Sequence, residues 1–154
     1  MTTVATADQL YADPSALLKL YLHEPQSRAM ATWRMKTSGP LAVTAHGRVE
    51  MINGLALAAH RGFLPAAAFH SALAALDDDF EQGRYAPADL LWRAVLKRAA
   101  DLSRQHTPKL GTRSLDVLHV ASALELGMKR FVTFDERQGQ LAHATGLKVV
   151  VPAA

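Results

Sequence analysis

Cysteine is absent from the 154-residue chain. Its absence excludes disulfide bonds, thiolate zinc sites and a cysteine nucleophile, and it permits a reducing compartment. Long hydrophobic runs are also missing, because no apolar stretch is long enough to span a bilayer. The first residues, MTTVATADQL, lack the basic and apolar regions of a signal peptide. We therefore expect a soluble, cytoplasmic protein with no membrane association.

A strong charge of one sign is missing as well. The net charge is +3, a small excess that is compatible with a polyanionic partner without indicating one. Aromatic residues make up only 6% of the chain, and no basic, aromatic-rich stretch suggests a stacking platform for single strands. Hydrophobic residues reach 49%, enough for one buried core, and no linker or repeat interrupts the chain. We expect residues 1–154 to form a single domain.

Short apolar strands alternate with helices along the chain. Strands are predicted at residues 9–13, 41–44, 131–134 and 147–151. Helices are predicted from Pro14, Pro25 and Pro65 onward, and over about 45–60, 88–105, 114–127 and 137–145. The buried stripe of the helix at 45–60 is predicted to contain Val49, Ile52, Ala56 and Ala59, and Pro108 is predicted to stop the helix at 88–105. This order predicts an α/β fold with a mostly parallel sheet covered on both faces.

Four acidic residues fall where such a fold brings chain segments together. Asp13 and Asp135 end strands, Asp116 lies in the first turn of a helix that feeds a strand, and Glu50 lies early in the helix after 41–44. In a parallel sheet, helices run antiparallel to the strands. The helix that precedes a strand in the chain and the helix that follows it therefore both begin at the carboxyl edge of the sheet. We therefore expect all four side chains to face the crevice at that edge, where open α/β sheets bind ligands.

Each acid also has a structural explanation. Asp13 and Asp135 suit helix N-caps, Asp116 suits the dipole of a helix N-terminus, and Glu50 could be an exposed boundary residue. Four carboxylates in one crevice would repel, and a hard cation such as Mg²⁺ or Mn²⁺ would relieve that repulsion. Without a serine–histidine–acid order or a cysteine, the favoured reaction is phosphodiester hydrolysis by a water that the metal activates.

Five blocks of the sequence resemble the PIN domain, and specifically the VapC toxins of toxin–antitoxin pairs. They are YADPSALLKLYLHEP, RVEMINGLA, TRSLDVLHVASALELG, FVTFDERQG and LAHATGLKVVV, spread over roughly residues 9 to 151. The resemblance implies a three-layer α/β/α PIN-like domain and a Mg²⁺- or Mn²⁺-dependent endoribonuclease. The acidic quartet of that family matches Asp13, Glu50, Asp116 and Asp135.

The resemblance also suggests roles for these acids and their neighbours. Asp13 and Asp116 are expected to ligate the metal directly, with Glu50 and Asp135 holding its waters or a second ion. Two further sets carry an alternative explanation. Ser15 and Thr133 match hydroxyl residues that orient carboxylates, or serve only as a cap and a strand former. The other of these two sets could bind substrate phosphates or be surface charges, and it consists of Arg48, Arg113 and Arg137.

The resemblance further implies partners. It implies an RNA substrate, a cognate VapB-like antitoxin that covers the crevice, and a homodimer. An antitoxin arginine entering among the carboxylates would compete with the metal. Trp33 and Met35 on the early helices are candidates for the groove that receives the antitoxin.

Two other functions remain compatible with the residues. The pairs His46 with Glu50 and Asp116 with His119 have helical spacings that could form a zinc or iron hydrolase site, although a third histidine at a suitable spacing is missing. His119 by itself is expected to be a buried, hydrogen-bonded histidine. The other alternative is a catalytically silent RNA- or protein-binding module.

Overall fold

A computed structural model describes residues 5–6 and 9–153 of the chain. Its strands are β1 (Ala5–Thr6), β2 (Leu10–Ala12), β3 (Thr37–Ser38), β4 (Leu41–Thr44), β5 (Tyr85–Ala88), β6 (Arg130–Val132) and β7 (Lys148–Val150). Its helices are α1 (Pro14–Leu18), α2 (Ser27–Met35), α3 (Ala45–His60), α4 (Ala66–Glu81), α5 (Trp92–Leu110), α6 (Ser114–Glu125) and α7 (Glu136–Ala144). None of the described helices has both the length and the apolar composition needed to cross a bilayer.

The central sheet has five strands in the order β5-β4-β2-β6-β7. Each neighbouring pair in it is parallel, so the predicted mostly parallel sheet is confirmed. A separate parallel pair joins β1 to β3. Because β2 lies between β4 and β6, the carboxyl ends of these three strands are adjacent.

Helices cover both faces of the sheet. In β2, Leu10 and Ala12 pack into a core cluster with residues of α1 to α4, whereas Tyr11 packs on the opposite face with residues of α5 to α7. In β6, Val132 and Phe131 divide between the two clusters in the same way. This alternation is the pleat of a strand that is buried on both faces. The three-layer α/β/α architecture is confirmed.

The prediction that Pro108 stops a helix at 88–105 is wrong. The helix α5 spans Trp92–Leu110 and contains Pro108 in its last turn, where the missing N–H removes a single backbone bond. Gly111 ends the helix instead, with a left-handed φ of 66°. The predicted helix start is also too early, because Tyr85–Ala88 forms the edge strand β5. Its Pro87 is tolerated there because an edge strand leaves N–H groups unpaired.

The predicted stripe of the helix at 45–60 is also wrong. Val49 is 66% exposed and Ile52 is exposed too, whereas Met51 and Leu55 are fully buried. The helix α3 packs against both α1 and α4, so apolar residues occur on several of its sides and their spacing does not single out one face. Smaller boundary shifts also occur. The helix predicted from Pro25 begins at Ser27, and the strand predicted at 131–134 is Arg130–Val132.

We predict that the side chain of Met51, and not the Val49 stripe, anchors α3. Met51→Ala removes a fully buried side chain and should lower the free energy of unfolding by about 2–5 kcal/mol. Met35→Ala is the matched control, because Met35 is 86% exposed and its truncation should change stability by less than about 0.5 kcal/mol. Urea denaturation measures both values. Equal effects of the two substitutions would contradict this packing.

Candidate active site

Asp13 lies at the carboxyl end of the central strand β2. Its backbone N–H donates to the Val132 carbonyl at 2.9 Å, which extends the pairing of β2 with β6 by one residue. The side chain is only 3% exposed and accepts hydrogen bonds from the hydroxyl of Ser15 and from Thr133 Oγ1, the latter at 3.3 Å. It makes no cap bond to α1. The N-cap explanation therefore does not account for this carboxylate.

Burial dominates the electrostatics of Asp13. Desolvation raises the pKa of its carboxyl above the ordinary value, and the negative charge of Glu50 raises that pKa further. The hydrogen bonds from Ser15 and the charge of His119 act in the opposite direction. Both hydroxyl donors are neutral, so the ionised carboxylate keeps a substantial desolvation cost that a cation would offset.

Gln138 connects Asp13 to the other acids at this edge. Its side-chain oxygen lies 3.1 Å from Thr133 Oγ1 and shares the single proton of that hydroxyl with Asp13, and its amide nitrogen donates to the main-chain carbonyl of Asp116 at 3.4 Å. Its backbone N–H donates to Asp135 Oδ1 at 2.9 Å, so one oxygen of Asp135 does cap α7. The second carboxylate oxygen is not used by that cap bond. Gln138 is fully buried, and this keeps the three contacts away from water.

Asp116 and Asp135 line an open depression together with Gly111, Arg113, Glu136 and Arg137. Partial burial raises the pKa of Asp116, and the charge of Asp135 raises it further. Arg113 lowers that pKa, with its Nε at 3.6 Å from Asp116 Oδ2. Two repelling carboxylates and two arginines thus share one solvent-accessible surface.

Glu50 reaches the same region from α3. Its Oε2 lies 2.5 Å from His119 Nε2, and His119 Nδ1 lies 2.7 Å from the hydroxyl of Tyr11. His119 is fully buried, so the prediction of a buried, hydrogen-bonded histidine is confirmed. Because both of its ring nitrogens already have partners, His119 does not offer a free lone pair to zinc or iron.

His46 belongs to the same cluster of rings but not to a metal-binding pair. Its ring stacks on that of His119 with centroids 4.9 Å apart. Burial lowers the pKa of His46 to about 4, with the charge of His119 as a second cause, so the ring is neutral near pH 7. Its Nδ1 is buried without a hydrogen-bond partner. The arrangement gives no support to the zinc or iron alternative.

The three arginines occupy different places. Arg113 and Arg137 line the depression beside Asp116 and Asp135. Arg48 lies two residues before Glu50, about 200° away around α3. Its guanidinium contacts Asp77 at 3.2 Å and lies over the Phe80 ring at 4.1 Å, so its described partners are outside the acidic edge.

The donors fit a hard divalent cation in their chemistry. Among the described residues, no three histidine or acidic side chains lie close enough to hold an ion by themselves. Mg²⁺, however, usually binds through one or two carboxylates, with water and substrate phosphate completing the shell. Asp13, which is buried between neutral hydroxyls, and the pair Asp116 and Asp135 are oxygen donors of that kind. The assignment of metal ligands therefore stays a prediction.

Sequence reasoning missed Gln138 and Tyr11. Gln138 stands three residues after Asp135, which is the spacing of a capping box, and this signal could have identified it. Tyr11 gave no comparable signal, because a tyrosine in an apolar strand resembles any other core residue.

Comparison with known proteins identifies the family of this chain. The family model described as the PIN domain matches residues 10–144. Ribonuclease VapC46 of Mycobacterium tuberculosis strain H37Rv is 32% identical over 146 residues, covering 94% of this chain and 98% of that protein. Ribonuclease VapC47 of Mycobacterium tuberculosis strain CDC 1551 is 27% identical over 150 residues, with 94% and 98% covered.

A solved structure supports the fold alone. The crystal structure of FitAcB from Neisseria gonorrhoeae superposes with a TM-score of 0.56 at 18% identity, covering 91% of this chain and 95% of that one.

The family model and the 32% identical relative show that the protein belongs to the PIN domain family. Within that family it is a VapC-type member, and the resemblance stated from the sequence is confirmed.

We predict that Asp13→Asn stabilises the metal-free protein at neutral pH. Because the pKa of Asp13 is raised on folding, the folded protein holds this proton up to a higher pH than the unfolded chain does. Wild-type stability should therefore fall, relative to the variant, as the pH rises from about 4 through the raised pKa. Thermal unfolding in EDTA between pH 3 and pH 8 measures the difference. Asp101→Asn, at an exposed site, is the control, and an equal pH dependence in both variants would contradict this account.

Proposed function

We propose that this protein is a Mg²⁺- or Mn²⁺-dependent endoribonuclease that hydrolyses RNA phosphodiesters as the toxin of a toxin–antitoxin pair. The observation that carries the proposal is the buried carboxylate of Asp13 at the carboxyl edge of the sheet, joined through Thr133 and Gln138 to Asp135 and Asp116. Membership of the PIN domain family and similarity to VapC ribonucleases support the reaction class. We place the activity in one domain formed by residues 1–154, in the cytoplasm.

Asp13 and Asp116 are proposed to hold the cation directly. Glu50 and Asp135 would orient its water ligands or a second ion. When bound, the cation supplies Lewis-acid stabilisation of the phosphoryl oxygens and lowers the pKa of the attacking water. Ser15 and Thr133 would keep the Asp13 carboxylate oriented through their hydrogen bonds.

Arg113 and Arg137 are proposed to bind phosphates that flank the scissile bond. Both line the depression with Asp116 and Asp135, and a guanidinium matches the geometry of phosphate oxygens. Arg48 is the weakest candidate of the three arginines, because Asp77 and Phe80 already engage it. Phosphate contacts would position the RNA without reading its bases.

We predict that cleavage requires both the cation and the acidic edge. Asp116→Asn should lower the rate at which purified protein cleaves RNA by about 100-fold or more, because it removes a ligand that places the stabilising charge. EDTA should abolish cleavage, and Mg²⁺ or Mn²⁺ should restore it. Asp77→Asn, which changes an exposed aspartate paired with Arg48, is the matched control and should cleave like wild type.

Sequencing of RNA 5′ ends locates the cuts in the same reactions. Cleavage that continues in EDTA and at an unchanged rate in Asp116→Asn would refute the proposal. Restoration by Zn²⁺ but not by Mg²⁺ or Mn²⁺ would favour the zinc hydrolase instead.

A VapB-like antitoxin is the proposed regulatory partner. An apolar groove runs between α3 and the segment after α1, and its lining includes Leu18, Leu22, Leu57, Phe63 and Leu64. Trp33 and Met35, the residues named from the sequence, are not part of this lining, and Trp33 packs partly against the core. The groove is a better candidate for an amphipathic antitoxin segment than α2 is.

A homodimer is proposed from a second apolar surface. The His46 and Trp92 rings lie with centroids 5.0 Å apart, which places the first turns of α3 and α5 side by side. One turn further along these helices, Val49 and Leu96 are both exposed. Exposed apolar side chains on two helices that meet at their first turns are the basis of this proposal, because apolar surface patches mark protein interfaces.

We predict that Leu96→Glu converts the dimer into a monomer, because a buried unpaired carboxylate strongly opposes association. Size-exclusion chromatography with light scattering gives the mass of each variant. Phe63→Glu is the control, since it places the same charge on an exposed apolar site in the groove proposed for the antitoxin and should leave the dimer intact. A monomeric wild-type protein, or equal masses for both variants, would contradict the dimer surface.

A further inference from the structure

We propose that Tyr11 and His119 form a positioning chain that fixes the carboxylate of Glu50 at the acidic edge of the sheet. The inference rests on the proposed nuclease function, because it gives Glu50 a defined place in that reaction. The chain runs from the Tyr11 hydroxyl to His119 Nδ1 at 2.7 Å and from His119 Nε2 to Glu50 Oε2 at 2.5 Å. Tyr11 and His119 act through Glu50 and are positioning residues.

The hydrogen bond between His119 and Glu50 has a fixed direction. An ionised carboxylate only accepts, so His119 must carry its proton on Nε2 and donate it to Glu50. When the ring is neutral, Nδ1 accepts from the Tyr11 hydroxyl, and when the ring is protonated, Nδ1 donates to the Tyr11 oxygen. Burial raises the pKa of Tyr11, which keeps this hydroxyl protonated. The bond to Glu50 therefore keeps a proton on Nε2, and the two contacts together hold the ring in one orientation.

Packing prevents the two rings from shifting. Tyr11 is almost fully buried in β2 and stacks on Phe131 with centroids 5.5 Å apart and planes 5° apart. His119 is fully buried and stacks on His46 with planes 21° apart. A glutamate has several rotatable bonds, and a rigid donor at its tip removes much of that freedom.

The chain also ties Glu50 to the strand and helix that carry other acids. Tyr11 lies two residues before Asp13 in the same strand segment, and His119 lies one helical turn after Asp116. Glu50 comes from α3, on the other side of this edge. The negative charge of Glu50 already influences Asp13. Tyr11 and His119 thereby join Glu50 to the segments that carry Asp13 and Asp116.

The decisive experiment compares Tyr11→Phe with Tyr85→Phe. Each removes one hydroxyl from a buried strand tyrosine, and Tyr85 is a matched control because its hydroxyl bonds to Tyr21 at 2.8 Å, in a network that contains Asp79 and none of the four acids of the candidate site. Tyr11→Phe should lower Mn²⁺ affinity by about 10-fold, the lower end of the usual effect of losing a residue that supports a metal site from outside its direct ligands. It should also lower kcat for RNA cleavage and leave KM almost unchanged. Tyr85→Phe should match wild type in all three.

Two further variants test the route through Glu50. His119→Gln keeps an amide that can donate to Glu50 and should retain more Mn²⁺ affinity than His119→Leu, although both lose the imidazole. In a Glu50→Gln background, Tyr11→Phe should cause no additional loss, because the carboxylate that it positions is already gone. Calorimetry measures Mn²⁺ binding without RNA, and urea denaturation checks that each variant is folded.

The inference is overturned if Tyr11→Phe and Tyr85→Phe have equal Mn²⁺ affinity, or if Tyr11→Phe costs as much in the Glu50→Gln background as in wild type. Failure of the nuclease proposal has a different signature. In that case the wild-type protein cleaves no RNA with Mg²⁺ or Mn²⁺, while the Mn²⁺ affinities of the variants still decide whether Tyr11 and His119 position Glu50.

Discussion

The burial of the Asp13 carboxylate at the end of β2 is the constraint on which the acidic edge depends. The strand places this group between β4 and β6, where the backbone bond from Asp13 to the Val132 carbonyl leaves little freedom to turn toward water. The hydroxyls of Ser15 and Thr133, which are neutral donors, bond to the carboxylate. A buried anion with neutral donors is costly, and it gives this edge an affinity for positive charge.

Two chains of buried polar side chains extend from this edge. One runs through Thr133 and Gln138 to the segments that carry Asp135 and Asp116. The other runs from Tyr11 through His119 to Glu50. Because every link lies on or beside a packed strand or helix, the acids are held without long loops, as a site that must keep a fixed geometry requires.

The order of helices and strands could be read from the sequence because it depends on local periodicity and on proline and glycine. The errors arose where tertiary context overrides those signals. Val49 and Met51 are both apolar, and only the position of α1 and α4 decides that Met51 is buried. Pro108 is a strong helix breaker in isolation, but its cost is small in a last turn that Gly111 closes.

The sequence by itself determined the parallel α/β class and the family, and it predicted one edge of the sheet as the place of Asp13, Glu50, Asp116 and Asp135. Those features follow from the order of elements and from motifs that are contiguous in the chain. Only the tertiary structure decided that the Asp13 side chain makes no cap bond, that Arg48 turns to Asp77, that Gln138 contacts Asp135, and that Tyr11 contacts His119. The physical reason is that these contacts join atoms from distant segments, and their existence depends on how the helices pack on the sheet.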